Sequence, residues 1–426
     1  MKKTFVFESY EFDAASAVAS FTYSFDHETF YTERVQFEKS DTAYDKAVFE
    51  RALFMAFALV GVSYYKLFPG GPIQWNTGAI DAWQSQFLNH VYQEGLSQFA
   101  FENQLTRSDL AQFSPTQDAP QALTPYRGEG ILSLESGGKD SLLTATLLQT
   151  AGKTFDSFYI TSSGTHPAIL DSLPGHLYVA RRSIDLEGIK AAKENGALNG
   201  HIPVTYVVLS LALLQAVLLN KHIVLSSIGH EGEEPHDRIG DLPVTHQWSK
   251  TWEAELLFAE YVTKYIADTI NVGSALRKYS ELRVAELFVD NCWASYGHHF
   301  SSCNRANYLQ GENNTTLKWC GECPKCANSY LLFAPFLEAA ELRSIFNGQD
   351  LFEKPLLTET FKGLLGIDDV MKPFECVGEI DELRQAYSMA QQRGGYAELP
   401  FEVPASAYDY MQQFPVQEWT ARVFTR

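Results

Sequence analysis

The stretch Leu134–Leu142, reading LESGGKDSL, constrains this chain more than any other. An apolar run able to form a strand, residues 130–134, leads into it, and a run with helical apolar spacing, residues 142–148, leads out. A Gly pair at a strand-to-helix turn lets backbone N–H groups point at an anion, and the helix N-terminus adds its positive dipole end. Lys139 supplies a mobile charge, and Ser136 and Ser141 supply hydroxyl donors. A lone Gly pair is more often a bare turn. Ser136, Gly137, Gly138, Lys139, Asp140 and Ser141 in that order predict a polyphosphate site. The Walker pattern differs, because its longer loop closes on Gly-Lys-Ser/Thr.

The rest of the chain reads as α/β. Residues 4–12, 17–25 and 29–37 alternate apolar and polar positions and predict an antiparallel meander. A helix follows over about 43–68, with Ser40, Asp41 and Thr42 as capping side chains. Pro69-Gly70-Gly71-Pro72 breaks it, a second helix covers about 79–98, and the polar stretch 103–126 reads as a linker. Beyond the phosphate loop, strands are expected at 155–160, 176–181 and 221–227, and residues 204–219 form a buried strand or helix. Strands alternating with helices imply a mostly parallel sheet with helices on both faces. Ligands in such sheets sit at the carboxyl ends of strands, so the loops after Leu134, Ile160, Ala180 and Ser227 should surround one site. The expected division is an N-terminal α+β domain (1–120), a nucleotide-binding catalytic domain (121–345) and a mostly helical or irregular extension (346–426).

Net charge is −19, which argues against a broad nucleic-acid surface. The run 204–219 falls short of the ~20 residues a membrane span needs. Acidic residues at 8, 11 and 13 come too early for a secretory signal. Six cysteines in 426 residues form no disulfide framework, and a reducing, cytoplasmic compartment follows. Cys303, then sixteen residues, then Cys320, Cys323 and Cys326 are spaced as ligands of one structural metal. Zn²⁺ suits four thiolates, and an iron–sulfur cluster suits the same spacing. Cys292 and Cys376 are left over as core residues. The loop 228–237 is acidic and carries His230 and Glu231, pointing to proton-transfer or metal chemistry or to a solvated surface. His246 and Lys250 share a face if a helix has begun by then.

The order Ser-Gly-Gly-Lys-Asp-Ser resembles the signature of the PP-loop ATP pyrophosphatases, which split ATP between its α and β phosphates and adenylate an oxygen of the substrate. A PP-loop with a downstream four-cysteine knuckle resembles 7-cyano-7-deazaguanine synthase. The strings 199–204 (NGHIPV), 246–250 (HQWSK), 302–306 (SCNRA), 318–326 (KWCGECPKC) and 372–379 (KPFECVGE) together resemble the UDP-N-acetylmuramoyl-L-alanyl-L-glutamate epimerase family, over nearly the whole chain. That resemblance implies a Rossmann-like PP-loop sheet of the adenine nucleotide alpha hydrolase type. It implies inversion of the terminal L-Glu of UDP-MurNAc-L-Ala-L-Glu to D-Glu, with ATP consumed to AMP and pyrophosphate. Adenylating the carboxylate makes the α-proton removable, because the carbanion charge then moves onto the acyl oxygen.

His201, His246 and Lys250 are the candidates for proton transfer, followed by His230 and Glu231. Asp140 helps hold Mg²⁺ on the phosphates. Arg181, Arg182 and Arg305 are candidates for the substrate's own phosphates. The competing expectations are an amide or nitrile synthetase that passes the adenylate to ammonia, a tRNA-modifying adenylating enzyme and a non-catalytic nucleotide-binding module.

Overall fold

The computed structural model describes residues 2–40, 42–118, 123, 125–309 and 315–425. The expected boundary at 120–121 lies outside them. The meander forms as β1 (Phe5–Asp13), β2 (Val18–Phe25) and β3 (Thr29–Gln36). Alternation drives it: Ala19, Phe21 and Tyr23 of β2 are buried, and the residues between them are half-exposed. Helix α1 (Lys46–Val60) is capped by Asp45, whose side chain accepts from Ala47 and Val48 N–H, rather than by residues 40–42. The helical run Lys46–Tyr65 is long and apolar enough to cross a membrane, yet most of it is buried within the fold. Strand β4 (Ile73–Trp75) and helix α2 (Ala82–Gln93) follow.

The polar stretch 103–126 is not a free linker over its described residues. Leu110, Ala111 and Phe113 are buried, and Phe113 packs on the rings of Tyr92 and Trp75. Three apolar side chains in a polar context were enough to anchor it.

The phosphate loop joins β5 (Ile131–Leu134) to α3 (Lys139–Thr150). Then come β6 (Phe155–Thr161), β7 (Leu177–Ser183), α4 (Val204–Leu218) and β8 (Ile223–Ser226). Residues 204–219 therefore resolve as a helix, apolar all round because it is buried. A hairpin, β9 (Asp237–Ile239) and β10 (Leu242–Val244), precedes α5 (Trp252–Tyr261), β11 (Asn271–Ser274) and α6 (Glu281–Tyr296). Helices α7 (Pro324–Phe333) and α8 (Ile380–Arg393) belong to the C-terminal half.

One nine-stranded sheet runs β11-β8-β5-β6-β7-β3-β2-β1-β4. The strands from β11 to β7 are parallel, β3 joins β7 antiparallel, and the meander continues the sheet. Successive residues of a strand face opposite ways, so Leu132 and Val224 enter one hydrophobic core while Ile131 and Leu225 enter another. The first core holds α1, α4 and the meander aromatics. The second holds α3, α6, α7 and the cysteine cluster.

The β3–β7 seam carries a buried ion pair. Arg182 Nε donates to Glu33 Oε1 at 2.6 Å, and the Tyr64 hydroxyl donates to Glu33 Oε2 at 3.2 Å. Glu33 is fully buried. Arg182→Met is expected to cost about 3–5 kcal/mol, because it strands a charge in the core. Denaturant unfolding measures this, and an unchanged midpoint would refute the pairing's importance.

Candidate active site

The phosphate loop, residues 135–138, turns sharply at Gly137, whose φ is +77°. A Cβ there would meet Leu317 Cδ1 at 2.7 Å, so both conformation and space require glycine. The Ser141 hydroxyl accepts from Ser136 N–H at 3.2 Å, and Ser136 Oγ accepts from Gly138 N–H at 3.3 Å. These bonds hold the loop over the N-terminus of α3.

Lys139 is buried and donates to Asp140 Oδ1 and Glu281 Oε2, both at 2.6 Å. Burial disfavours its charge, but the two carboxylates outweigh that and raise its pKa. Burial pushes Glu281 up to about 7 despite the Lys139 ammonium. Glu135 beside the loop is pushed up to about 8 by burial, against a hydrogen bond donated by Ser133 at 2.9 Å. Its Oε2 has no partner among the described residues.

A cleft of about 340 Å³ opens beside this loop. The loops after Leu134 and Ser227 line it, and those after Ile160 and Ala180 do not. The chain leaves β5 toward β6 on one side and returns to β8 on the other, so the crevice falls between β5 and β8, where strand order reverses.

Lys250 stands in the cleft wall. Its Nζ is 3.1 Å from Glu231 Oε1 and donates to Cys376 Sγ at 3.3 Å. Burial favours the neutral acid at Glu231, but Lys250, Lys325 and Lys139 prevail and lower its pKa. Lys250, Glu231, Gln247 and Cys376 also line a second, smaller pocket of about 20 Å³ together with His246. Cys376 is thus a half-buried wall residue, not a core one.

Other expected residues sit differently. His246 and Lys250 do not share a helix face. A 3-10 turn spans Trp248–Lys250, and α5 begins only at Trp252, capped by the Thr251 hydroxyl. His201 and His246 pair ring to ring at 4.6 Å, and His246 Nδ1 donates to Gln98 Oε1 at 2.7 Å. Burial, then neighbouring positive charge, takes His201 down to about 4 and His246 to about 2, so both are neutral. His230 stacks on Phe414 at 3.5 Å, outside the cleft wall. Arg181 is exposed on β7, Arg182 is committed to Glu33, and Arg305 faces Glu322 at 3.7 Å. None of the three lines the cleft. Lys325, Asn304 and Cys376 do. The hints were their places inside the strings CPKC, SCNRA and KPFECVGE.

The four sulfurs of Cys303, Cys320, Cys323 and Cys326 lie within 4.8 Å of one another and could hold a metal ion. Three Sγ–Sγ separations are 3.6, 3.7 and 3.6 Å. A tetrahedral ion with ~2.3 Å metal–sulfur bonds needs about 3.8 Å. A cluster of several irons would spread its thiolates further. Backbone N–H groups of Ala306, Gly321 and Glu322 donate to the sulfurs, as a thiolate set requires. The knuckle also braces the cleft, because Ser302 and Asn304 flank Cys303, and Lys325 sits between Cys323 and Cys326.

Comparison with protein families settles the kinship. Family models of the MurL N-terminal domain and the MurL C-terminal domain match residues 1–274 and 299–413. The chain belongs to the MurL family. The first MurL model ends where β11, the last strand of the sheet, ends. The second carries the cysteine cluster and α7 and α8. Curated MurL-type relatives are similar along almost the whole length. The UDP-N-acetyl-alpha-D-muramoyl-L-alanyl-L-glutamate epimerase of Xanthomonas oryzae pv. oryzae is 33% identical over 400 residues, covering 93% of this chain and 87% of the relative. Epimerases of the same name from Salinispora tropica and a Micromonospora species are 31% and 32% identical, covering 93% of this chain and 86% and 88% of theirs.

Proposed function

We propose that this chain epimerises the terminal L-Glu of UDP-MurNAc-L-Ala-L-Glu to D-Glu in peptidoglycan synthesis, converting ATP to AMP and pyrophosphate. One observation carries the reading: a phosphate loop and a Lys–Glu–Cys cluster share one cleft, in a chain 33% identical to an epimerase of that substrate. In this reading the fold is a PP-loop ATP pyrophosphatase, and the reaction runs in the cytoplasm.

Residues 136–141 bind the polyphosphate through backbone N–H groups, two hydroxyls and Lys139. Asp140 is the residue that would hold Mg²⁺, and the ion would supply positive charge against the phosphates. The substrate carboxylate attacks the α-phosphorus, and pyrophosphate leaves. The acyl-adenylate then loses its α-proton to a base in the cleft wall, and the C–H electron pair moves onto the acyl oxygen. A proton returns on the opposite face, and water releases AMP. Lys250, Glu231 and Cys376 line the cleft wall where this exchange would occur, and His230 does not. Lys325 is better placed for a substrate phosphate than the three arginines. The sulfur separations support Zn²⁺ as the structural ion.

Purified protein with ATP, Mg²⁺ and the muramoyl dipeptide in deuterated water tests this. D-Glu carrying one deuterium, with one AMP and one pyrophosphate per turnover, is expected. Unchanged L-Glu with an ammonia-dependent amide product would replace the epimerase with a synthetase.

A further inference from the structure

We propose that Cys376 is a catalytic residue, its sulfur carrying the α-proton on one face of the activated glutamyl group while Lys250 holds that sulfur in place. The inference rests on the epimerase reading and names one of the two groups that an inversion at carbon requires.

Geometry carries it. The Cys376 thiol is free, half-buried and separate from the four-sulfur cluster. Its Sγ accepts from Lys250 Nζ at 3.3 Å. Together with Lys250, Glu231 and Gln247 it forms the wall shared by the phosphate cleft and the smaller pocket beside it. Its backbone is pinned on both sides. Lys325 Nζ donates to Cys376 O at 2.8 Å, and Gly378 N–H donates to Asn328 Oδ1 at 3.0 Å. Just upstream, Phe374 stacks on His236 at 4.9 Å. The sulfur is thus held firmly, in contact with the half-buried Lys250 ammonium and open to the cleft. His246 suits the task less, being neutral, tied to Gln98 and outside the wall of the phosphate cleft.

The step balances simply. The thiolate takes the proton from Cα and becomes a thiol, and the C–H pair moves onto the acyl oxygen as an enolate. A protein acid on the other face gives a proton to Cα as the carbonyl re-forms. The thiol then returns its proton through solvent to that spent acid, and both groups are reset. Lys250 touches Cys376, so the two cannot bracket one carbon, and Lys250 is the positioning residue for the sulfur.

The test uses full-length Cys376→Ser and Cys376→Ala with ATP, Mg²⁺ and either epimer of the muramoyl dipeptide in deuterated water. Inversion should fall at least about 10²-fold more than AMP formation does. Deuterium should still enter Cα of one epimer, the one whose proton faces the surviving base, and not the other. Serine preserves size and the hydrogen bond to Lys250, so it should fail to rescue a proton carrier and would rescue a packing residue. A serine variant that inverts at the unsubstituted rate overturns the assignment. So does parallel loss of AMP formation and of exchange in both epimers. An unsubstituted enzyme that makes no D-Glu would instead defeat the epimerase reading on which the proposal stands.

Discussion

Lys139→Ala is expected to lower AMP and pyrophosphate formation by about 10²–10³-fold, the usual cost of removing one donor aimed at developing charge. Lys139 is the cation at the head of α3, and the phosphate-loop amides alone cannot neutralise a polyphosphate. Stability should suffer far less. Lys139 leaves behind Glu281, which burial already pushes up to about 7, so that carboxyl can take up a proton instead of remaining a stranded charge. Pyrophosphate release and thermal unfolding, measured on the same preparation, separate the two effects. A variant that keeps its AMP yield would remove Lys139 from the phosphate site. One that loses its fold would make the buried Lys139–Glu281 pair a structural element first.

Cys326→Ser is expected to remove the bound metal and to lower Tm by about 10 °C or more. Structural Zn²⁺ sites contribute on the order of 10 kcal/mol of binding free energy to folding. Losing even a third of that shifts Tm by about 10 °C, at ~2–4 °C per kcal/mol for domains of roughly 150–250 residues. Cys326 is fully buried in the second core beside Tyr330 and Leu331, so an apo site leaves polar sulfur chemistry unpaired inside it. Catalysis should fail with the metal, because Asn304 and Lys325 take their places in the cleft from the cysteines beside them. Metal analysis should give one Zn²⁺ per chain for the unsubstituted protein. Full activity and unchanged Tm in a metal-free variant would overturn the structural role.

The strand–loop–helix at 131–150 was legible because local chemistry specifies it: glycines for the turn, hydroxyls and a lysine for the anion, and apolar periodicity on either side. The cysteine set was legible for the same reason, since two-residue spacings bring neighbouring sulfurs close together. The condition under which His246 and Lys250 would share a helix face is not met, because the helix begins only after a Thr cap at 251. Arg182 looked like an anion binder because its partner Glu33 lies 149 residues away.

The sequence by itself determined the glycine-rich strand–loop–helix, the four-cysteine set, the alternating strands and the family, since each rests on strings of residues along the chain. Only the tertiary structure decided that the meander extends the parallel sheet through β3 and β7, and that the crevice opens between β5 and β8. It alone placed Glu281 on Lys139, and Cys376 on Lys250 across 126 residues. Such pairings are set by burial and by sheet order. Spacing carries no information about them, because side chains that meet across a core need share nothing along the chain.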